Sequence, residues 1–441
     1  MLFNSYVFLL AFLPATWILF HLLVRGDNRR RALALLVGAS LVYYGWWNPL
    51  YLGLVIPLLV IDYLLAKAIA RLRAKRPAQA KVLLVLGMVI NLGALGYYKY
   101  ANFFIDNINR LAGFHLELAT VVLPIGISFF TFQKIAFLVD VHEGKISHVN
   151  WLDYILFIMF FPQLIAGPIV HHSEVIPQFL GLKRVSARSM GSGLTILILG
   201  LAKKVLLADG AARLSSPLFD AAAAGSHLDL LTSWGATLAY TVQIYFDFSG
   251  YSDMAIGLGL LFGIRLPVNF NSPYKAASVI EFWRRWHITL SRFLRDYLYI
   301  PLGGSRRGAA RRYLNLAMTM VLGGLWHGAG WTFVMWGALH GSYLMINHGW
   351  HALRARLQLA TDQSHPAWGW FSRVITFLAV IIAWVFFRAA NLRTAWDVLL
   401  AMAGRYGMTW PSPMGGPALL SILGLLVVCW VAPNTQELTA Y

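Results

Sequence analysis

Long apolar runs alternate with short basic or polar stretches along almost the whole chain. Residues 2–24 make the first run, with Pro14 inside it, and Arg25, Arg29, Arg30 and Arg31 follow at once. Runs at 32–47, 50–70 and 82–98 come next. The cluster Arg71, Arg73, Lys75, Arg76 and Lys81 separates the last two. A helix needs about 20 apolar residues to cross a bilayer, and basic loops stay on the cytoplasmic side. The pattern predicts four spans with the N-terminus outside, and Trp46 and Trp47 at an interface.

The regular alternation then fails. A more polar stretch, 99–118, precedes the run 119–139, which carries LPIGISFFTFQKIAFLVDV. The run 151–170 ends in FFPQLIAGPIV, with His171 and His172 directly after it. If each run crossed, Lys183, Arg184 and Arg188 would face outside, against the charge rule. At least one segment between 119 and 170 is therefore expected to be re-entrant or too short to span; the sequence does not say which. Further on, 189–208 is apolar but contains Lys203 and Lys204, and 210–228 reads as a small-residue loop. The span 229–246 runs into YFDFSGYSD, where Asp247, Ser249, Gly250, Ser252 and Asp253 interrupt it, and 254–263 resumes it. The runs 331–349, 371–388 and 417–432 complete about eleven spans or part-spans in a single domain, 1–441, without a clear internal repeat.

The stretch 281–341 stands apart. Ile280, Trp283, Leu290 and Leu294 recur at helical spacing, and His287 falls on the same face. Arg285, Arg292 and Asp296 line a second face; Arg284, Ser291 and Arg295 line a third. A basic loop with Arg306, Arg307, Arg311 and Arg312 leads into an apolar segment whose far end is broken by glycines around His327. Irregular backbone at membrane depth needs protein or a water-filled cavity around it, and an ionisable residue there points to function.

Composition agrees with the pattern. Of 441 residues 59% are hydrophobic and 12% charged, with a mean hydropathy of +0.62. A soluble domain carries about 25% charged residues. Continuous apolar runs, rather than alternating ~10-residue segments, give an all-α polytopic membrane protein and exclude a β-barrel. With no positive n-region and no small-residue cleavage site, the first run is expected to be a retained span. The net charge of +18 belongs first to cytoplasmic loops, and it also suits an anionic substrate or acidic carrier; it calls for no nucleic acid. The single cysteine, Cys429, allows no intramolecular disulfide and leaves no thiol nucleophile in the central stretch.

His327 is the leading candidate for chemistry, since histidine suits general-base work at neutral pH. The ordinary alternative is a buried ring tied by one hydrogen bond. The glycines Gly323, Gly324, Gly328 and Gly330 would let backbone or substrate come close. For His287 three roles are open beside that of a core residue: orienting substrate, holding a donor substrate, or sharing proton transfer with His327. Arg284, Arg285, Arg292 and Arg295 with the following loop form a cationic patch, either snorkelling to headgroups or docking phosphate. Trp283, Trp286 and Trp326 are candidate substrate contacts. So are Asp247 and Asp253, which could orient a histidine or bind a cation; capping helices at the glycine break is their ordinary role. His340 and His351 share a helix face, but nothing upstream supplies a matching pair for haem.

YFDFSGYSDMAIGLGLLFGI, EFWRRWHITLSRFLRDYLYIPLGG and LGGLWHGAGWTFVMWGALHG resemble the core motifs of bacterial membrane-bound O-acyltransferases (MBOAT), in the alginate O-acetyltransferase-like branch. LPIGISFFTFQ and FPQLIAGPI match the same family. The resemblance implies an MBOAT-like helical annulus with re-entrant segments around a central tunnel. It puts the family's invariant histidine at His327 and its second, usually polar or histidine, position at His287. It implies no permanently bound cofactor. Acetyl-CoA or an acyl carrier thioester would be the cytoplasmic donor, and a periplasmic acetyltransferase the partner in polysaccharide O-acetylation at the inner membrane. Direct transfer without a cysteinyl intermediate is expected. A C-terminal segment found in some relatives is expected to be missing after APNTQELTAY. The competing class is a transporter of an anionic solute with a basic vestibule. Transporters often repeat their broken helices in two halves, and here the breaks do not recur.

Overall fold

The computed structural model describes residues 1–26, 28–118, 121–358 and 366–441, and every regular element among them is helical. Five helices, Phe8–Arg25, Pro49–Leu72, Pro77–Ala112, Ala187–Ala223 and Ala367–Arg388, are long and apolar enough to cross a bilayer. The protein is a multi-pass membrane protein. The contacts divide it into two compact units, Met1–Leu199 with Tyr251–Pro267, and Gly200–Gly250 with Val268–Tyr441.

In the first unit, the polar stretch after residue 98 is mostly helix, because the Pro77–Ala112 helix runs through it. Lys134 and Asp62 form a wholly buried ion pair at 3.3 Å, and Asn91 Nδ2 donates to Asp62 Oδ1 at 2.8 Å. Buried charges persist only when paired and hydrogen-bonded. These three residues tie together the helices Pro49–Leu72, Pro77–Ala112 and Ile127–His142.

The break in alternation is located at 151–170. The helix Trp151–Met159 has 9 residues, a rise of about 14 Å against a hydrocarbon core of about 30 Å. The chain then turns through 160–170 and returns to His172, whose Nδ1 meets Asp140 Oδ2 at 2.9 Å. At the tip, the Phe161 N–H donates to Ser40 Oγ at 3.0 Å and Gln163 Nε2 to the Phe157 carbonyl at 2.7 Å, so irregular backbone is satisfied by protein. Both ends of this segment lie with the basic loops. Asp153 feels the charges of Arg29 and Arg30. Near Asp140, Arg73 Nη1 donates to the Val141 carbonyl at 3.3 Å. Arg184 Nη2 donates to the Arg25 carbonyl at 3.1 Å, and Arg29 donates to that of Leu180. Arg25, Arg29, Lys183 and Arg184 therefore share one face, as the charge rule requires.

Three local expectations are corrected. Residues 210–223 are not a loop but the end of the Ala187–Ala223 helix. Their alanines favour helix, and Ala211, Ser215, Phe219 and Ala222 form its buried side. Nor do the polar residues of YFDFSGYSD break a helix, since Leu230–Leu261 is continuous. Gly250 packs there instead; a Cβ on it would lie 2.8 Å from the Gly200 carbonyl oxygen, a small-residue contact between helices. Residues 280–294, finally, are not one amphipathic helix. Two short helices, Val279–Arg285 and Ile288–Leu294, meet at His287, whose φ of 42° is left-handed. The 269–271 segment holds that break open. Asn271 N–H donates to the Arg285 carbonyl, and Ile288 N–H to the Asn269 carbonyl, each at 2.9 Å.

The helices Ala309–His327 and Trp331–Arg356 form a hairpin in the second unit. Their backbones approach at Gly324 and Gly337; a Cβ on Gly337 would run into the Met320 carbonyl oxygen. Gly337→Ala is expected to destabilise by about 1–3 kcal/mol through overpacking. Gly349→Ala, on the same helix with nothing within 4 Å, serves as its control. Thermal unfolding in detergent measures both, and equal melting temperatures would remove the role of close approach.

Candidate active site

His327 is the last residue of its helix, and Gly328 and Gly330 form the break before Trp331. The space at Gly328 is filled by the Phe333 ring rather than left for substrate. His327 is half-buried among Trp326, Trp336 and Phe387, with ring centres 4.9, 5.1 and 5.2 Å away. His287 lies 6.5 Å from it, centre to centre, and is fully buried. The sequence put these rings on separate elements 40 positions apart; the fold brings them side by side in one unit.

Three groups fix His287. Its Nδ1 meets Asn269 Oδ1 at 3.1 Å, Phe248 stands edge-on at 4.7 Å, and Phe270 stacks at 6.3 Å. Asn269 Oδ1 also accepts from Thr289, from the backbone N–H at 3.3 Å and the hydroxyl at 2.9 Å. The opposite ring nitrogen, Nε2, is buried with no hydrogen-bond partner.

Trp283 and Trp286 are buried as well. The Trp283 indole N–H donates to His340 Nδ1 at 3.3 Å, and Trp286 stacks on Phe282 at 5.7 Å and packs against Trp384 at 4.9 Å. Both build the aromatic wall behind the histidines. Trp326 packs beside both histidines, 4.9 Å from His327 and 6.4 Å from His287. His340 is fully enclosed, 4.8 Å from Trp336, whereas His351 is exposed, so the two do not share an environment fit for haem.

The arginines divide into paired and open groups. Arg285 Nε and Nη2 reach Glu281 Oε1 at 2.9 and 2.8 Å, and Arg295 pairs with Asp296 through bonds of 2.7 and 3.2 Å. Arg292 is half-buried. Arg284, Arg306, Arg307 and Arg311 are exposed, and no carboxylate pairs with them among the described residues. The two aspartates lie on one helix, Leu230–Leu261. Asp247 pairs with Lys204 at 2.5 Å, and Lys204 also holds Asp209 at 2.7 Å. Asp253 is buried in the first unit. Neither caps a helix, because Leu230–Leu261 runs through both.

Asn269 and His340 belong to this environment without having been singled out for it. Two asparagines in PVNFNSPY were a polar signal in an apolar loop, but only the pairing of 269–271 with 285–288 shows what Asn269 faces.

Comparison with known proteins agrees with these motifs. The model of the membrane-bound O-acyltransferase family matches residues 110–387. A peptidoglycan O-acetyltransferase of Helicobacter pylori is 42% identical over 437 residues, covering 93% of this chain and 81% of its own. A probable alginate O-acetylase of Azotobacter vinelandii is 44% identical over 407 residues, 91% of this chain and 78% of its own. A teichoic acid D-alanyltransferase of Streptococcus thermophilus is 26% identical over 283 residues, 60% of this chain and 68% of its own.

Proposed function

This chain belongs to the membrane-bound O-acyltransferase family, and from that premise we propose that it moves an acetyl group from a cytoplasmic thioester, acetyl-CoA or an acyl carrier, for O-acetylation of an extracellular polysaccharide. That it is an acyltransferase follows from the family. The polymer and the direction rest on relatives named for alginate and peptidoglycan, and on the basic loops. The observation that carries the reading is the pair His287 and His327, 6.5 Å apart within an aromatic wall.

In the proposed step the acceptor oxygen attacks the thioester carbonyl carbon, a C–O bond forms and the C–S bond breaks. His327, the more accessible ring, takes the hydroxyl proton and returns it to the leaving thiolate. A positioned base of this kind contributes about 10²–10⁴-fold. The acceptor is a hydroxyl of the polysaccharide or of a periplasmic acetyltransferase that completes the modification. Inner-membrane vesicles given acetyl-CoA labelled in the acetyl group test the reading. Label covalently bound to a carrier or polymer on the far side supports it. Label crossing only as a free solute would favour the anionic-solute transporter.

The open arginines supply a docking surface for donor phosphates, which guanidinium groups grip through paired hydrogen bonds. Arg284→Gln is expected to raise the donor concentration needed several-fold with little change in maximal rate. Arg285→Gln acts less, because Glu281 already holds that guanidinium. Donor binding should also weaken with salt, the Debye length being about 8 Å at physiological ionic strength. Binding insensitive to both salt and Arg284→Gln would leave these side chains a topological role alone.

A further inference from the structure

We infer that Asn269 is a positioning residue that fixes His287 as the Nδ1–H tautomer, leaving Nε2 as a proton acceptor beside His327. The inference deepens the acyl-transfer reading and rests on it for its catalytic part, though the tautomer itself does not. A backbone N–H can only donate, so the Asn269 atom that takes the Thr289 N–H is the amide oxygen. Thr289 Oγ, 2.9 Å away, then donates to the same oxygen. An amide oxygen has no proton to offer. His287 Nδ1, 3.1 Å from it, must therefore carry the hydrogen, and in a neutral ring Nε2 then holds the lone pair.

The surroundings keep this arrangement. Asn269, His287 and Thr289 are all fully or almost fully buried, so water does not compete for Nδ1. The backbone bond from Ile288 N–H to the Asn269 carbonyl locks the two segments in register. The left-handed φ of His287 is a sparsely populated conformation for a non-glycine residue, and such strain clusters where geometry serves function. Of the two ring nitrogens of His287, Nε2 is the one left without a hydrogen-bond partner. A hydroxyl has one proton to give and cannot donate to two unprotonated ring nitrogens at once; with ring centres 6.5 Å apart, His287 Nε2 is a second acceptor close to the ring that takes that proton. Of the three roles open to His287, a buried lone pair next to the ring of His327 fits proton sharing. His340 is the contrast: the Trp283 N–H occupies its Nδ1, so its proton sits on Nε2.

Solid-state ¹⁵N NMR of protein labelled at histidine nitrogens, with His287 assigned by difference from His287→Asn, tests the tautomer without using activity. The expected result is a protonated Nδ1 and an unprotonated Nε2 at neutral pH. A wild-type His287 protonated at Nε2 overturns the inference. Asn269→Leu is expected to scramble the tautomer and lower the maximal transfer rate on the order of 10²-fold or more, as loss of a tautomer-holding partner does elsewhere, with donor KM changed less than twofold. Asn269→Asp keeps an acceptor for Nδ1–H and should recover much of that rate. Its negative charge favours the imidazolium, so the acid limb of the rate profile should move to higher pH. An Asn269→Leu protein that retains both tautomer and rate also overturns the inference. If the tautomer is as stated but the wild-type protein transfers no acetyl group, the acyl-transfer reading fails and the positioning role of Asn269 stands.

Discussion

His327→Gln is expected to lower acetyl transfer by on the order of 10²–10⁴-fold while the protein still inserts and folds. The ring ends one helix and is half-buried, so its replacement leaves no large cavity. What disappears is a group able to take a proton from a hydroxyl and give it to a thiolate. Glutamine keeps hydrogen-bonding capacity without titrating near neutrality, so it separates proton transfer from simple polar contact. His327→Ala tests the same role with the contacts to Trp326, Trp336 and Phe387 removed as well. The measurement is single-turnover transfer of labelled acetyl in vesicles, normalised to inserted protein. A folded His327→Gln variant with near wild-type transfer would falsify the base assignment.

The second large effect is expected at His287. Its backbone is left-handed, which costs an ordinary side chain roughly 1–2 kcal/mol, so His287→Ala confounds strain with chemistry. Asparagine tolerates that backbone better than other non-glycine residues. His287→Asn is thus the sharper probe, expected to lose about 10²-fold in transfer with a smaller loss of melting temperature than His287→Ala. Asn269 Oδ1 still receives two bonds from Thr289 in either variant, so the loop is not left wholly unsatisfied. Transfer by His287→Asn within a few-fold of wild type would reduce this residue to a packing role and leave His327 to act without it.

Both predictions begin from residues that were legible in the chain. His327 stood out because a titratable ring beside glycines interrupts an apolar run, and His287 because it follows tryptophan and arginine in a greasy stretch. Their mutual distance was not legible, and the helix phase that put His287 on one face with Trp283 and Leu290 was wrong. Periodicity assumes that the helix continues. The pairing of 269–271 with 285–288 ends it at His287, and nothing in the local spacing announces a partner 18 residues upstream. The helix break expected around Asp247 and Asp253 failed in the opposite sense. Glycine and serine around them read as a helix break, yet small residues inside a membrane helix also make its packing face, which is what Gly250 does against Gly200.

The sequence by itself determined the membrane class, the basic face and the need for an incomplete crossing, since each follows from sums over many residues: transfer of apolar side chains out of water and retention of cations on one side. It also carried the tryptophan and histidine motifs of the family. Only the tertiary structure decided where the chain turns back, which arginines are open, what pairs with Asp247, and which nitrogen of His287 is left to accept a proton. Each of these is a single hydrogen bond, ion pair or steric contact between residues distant in sequence. A bond such as that from Thr289 to Asn269 selects one geometry among many that share the same hydropathy, so a pattern averaged over a helix or a span holds no record of it.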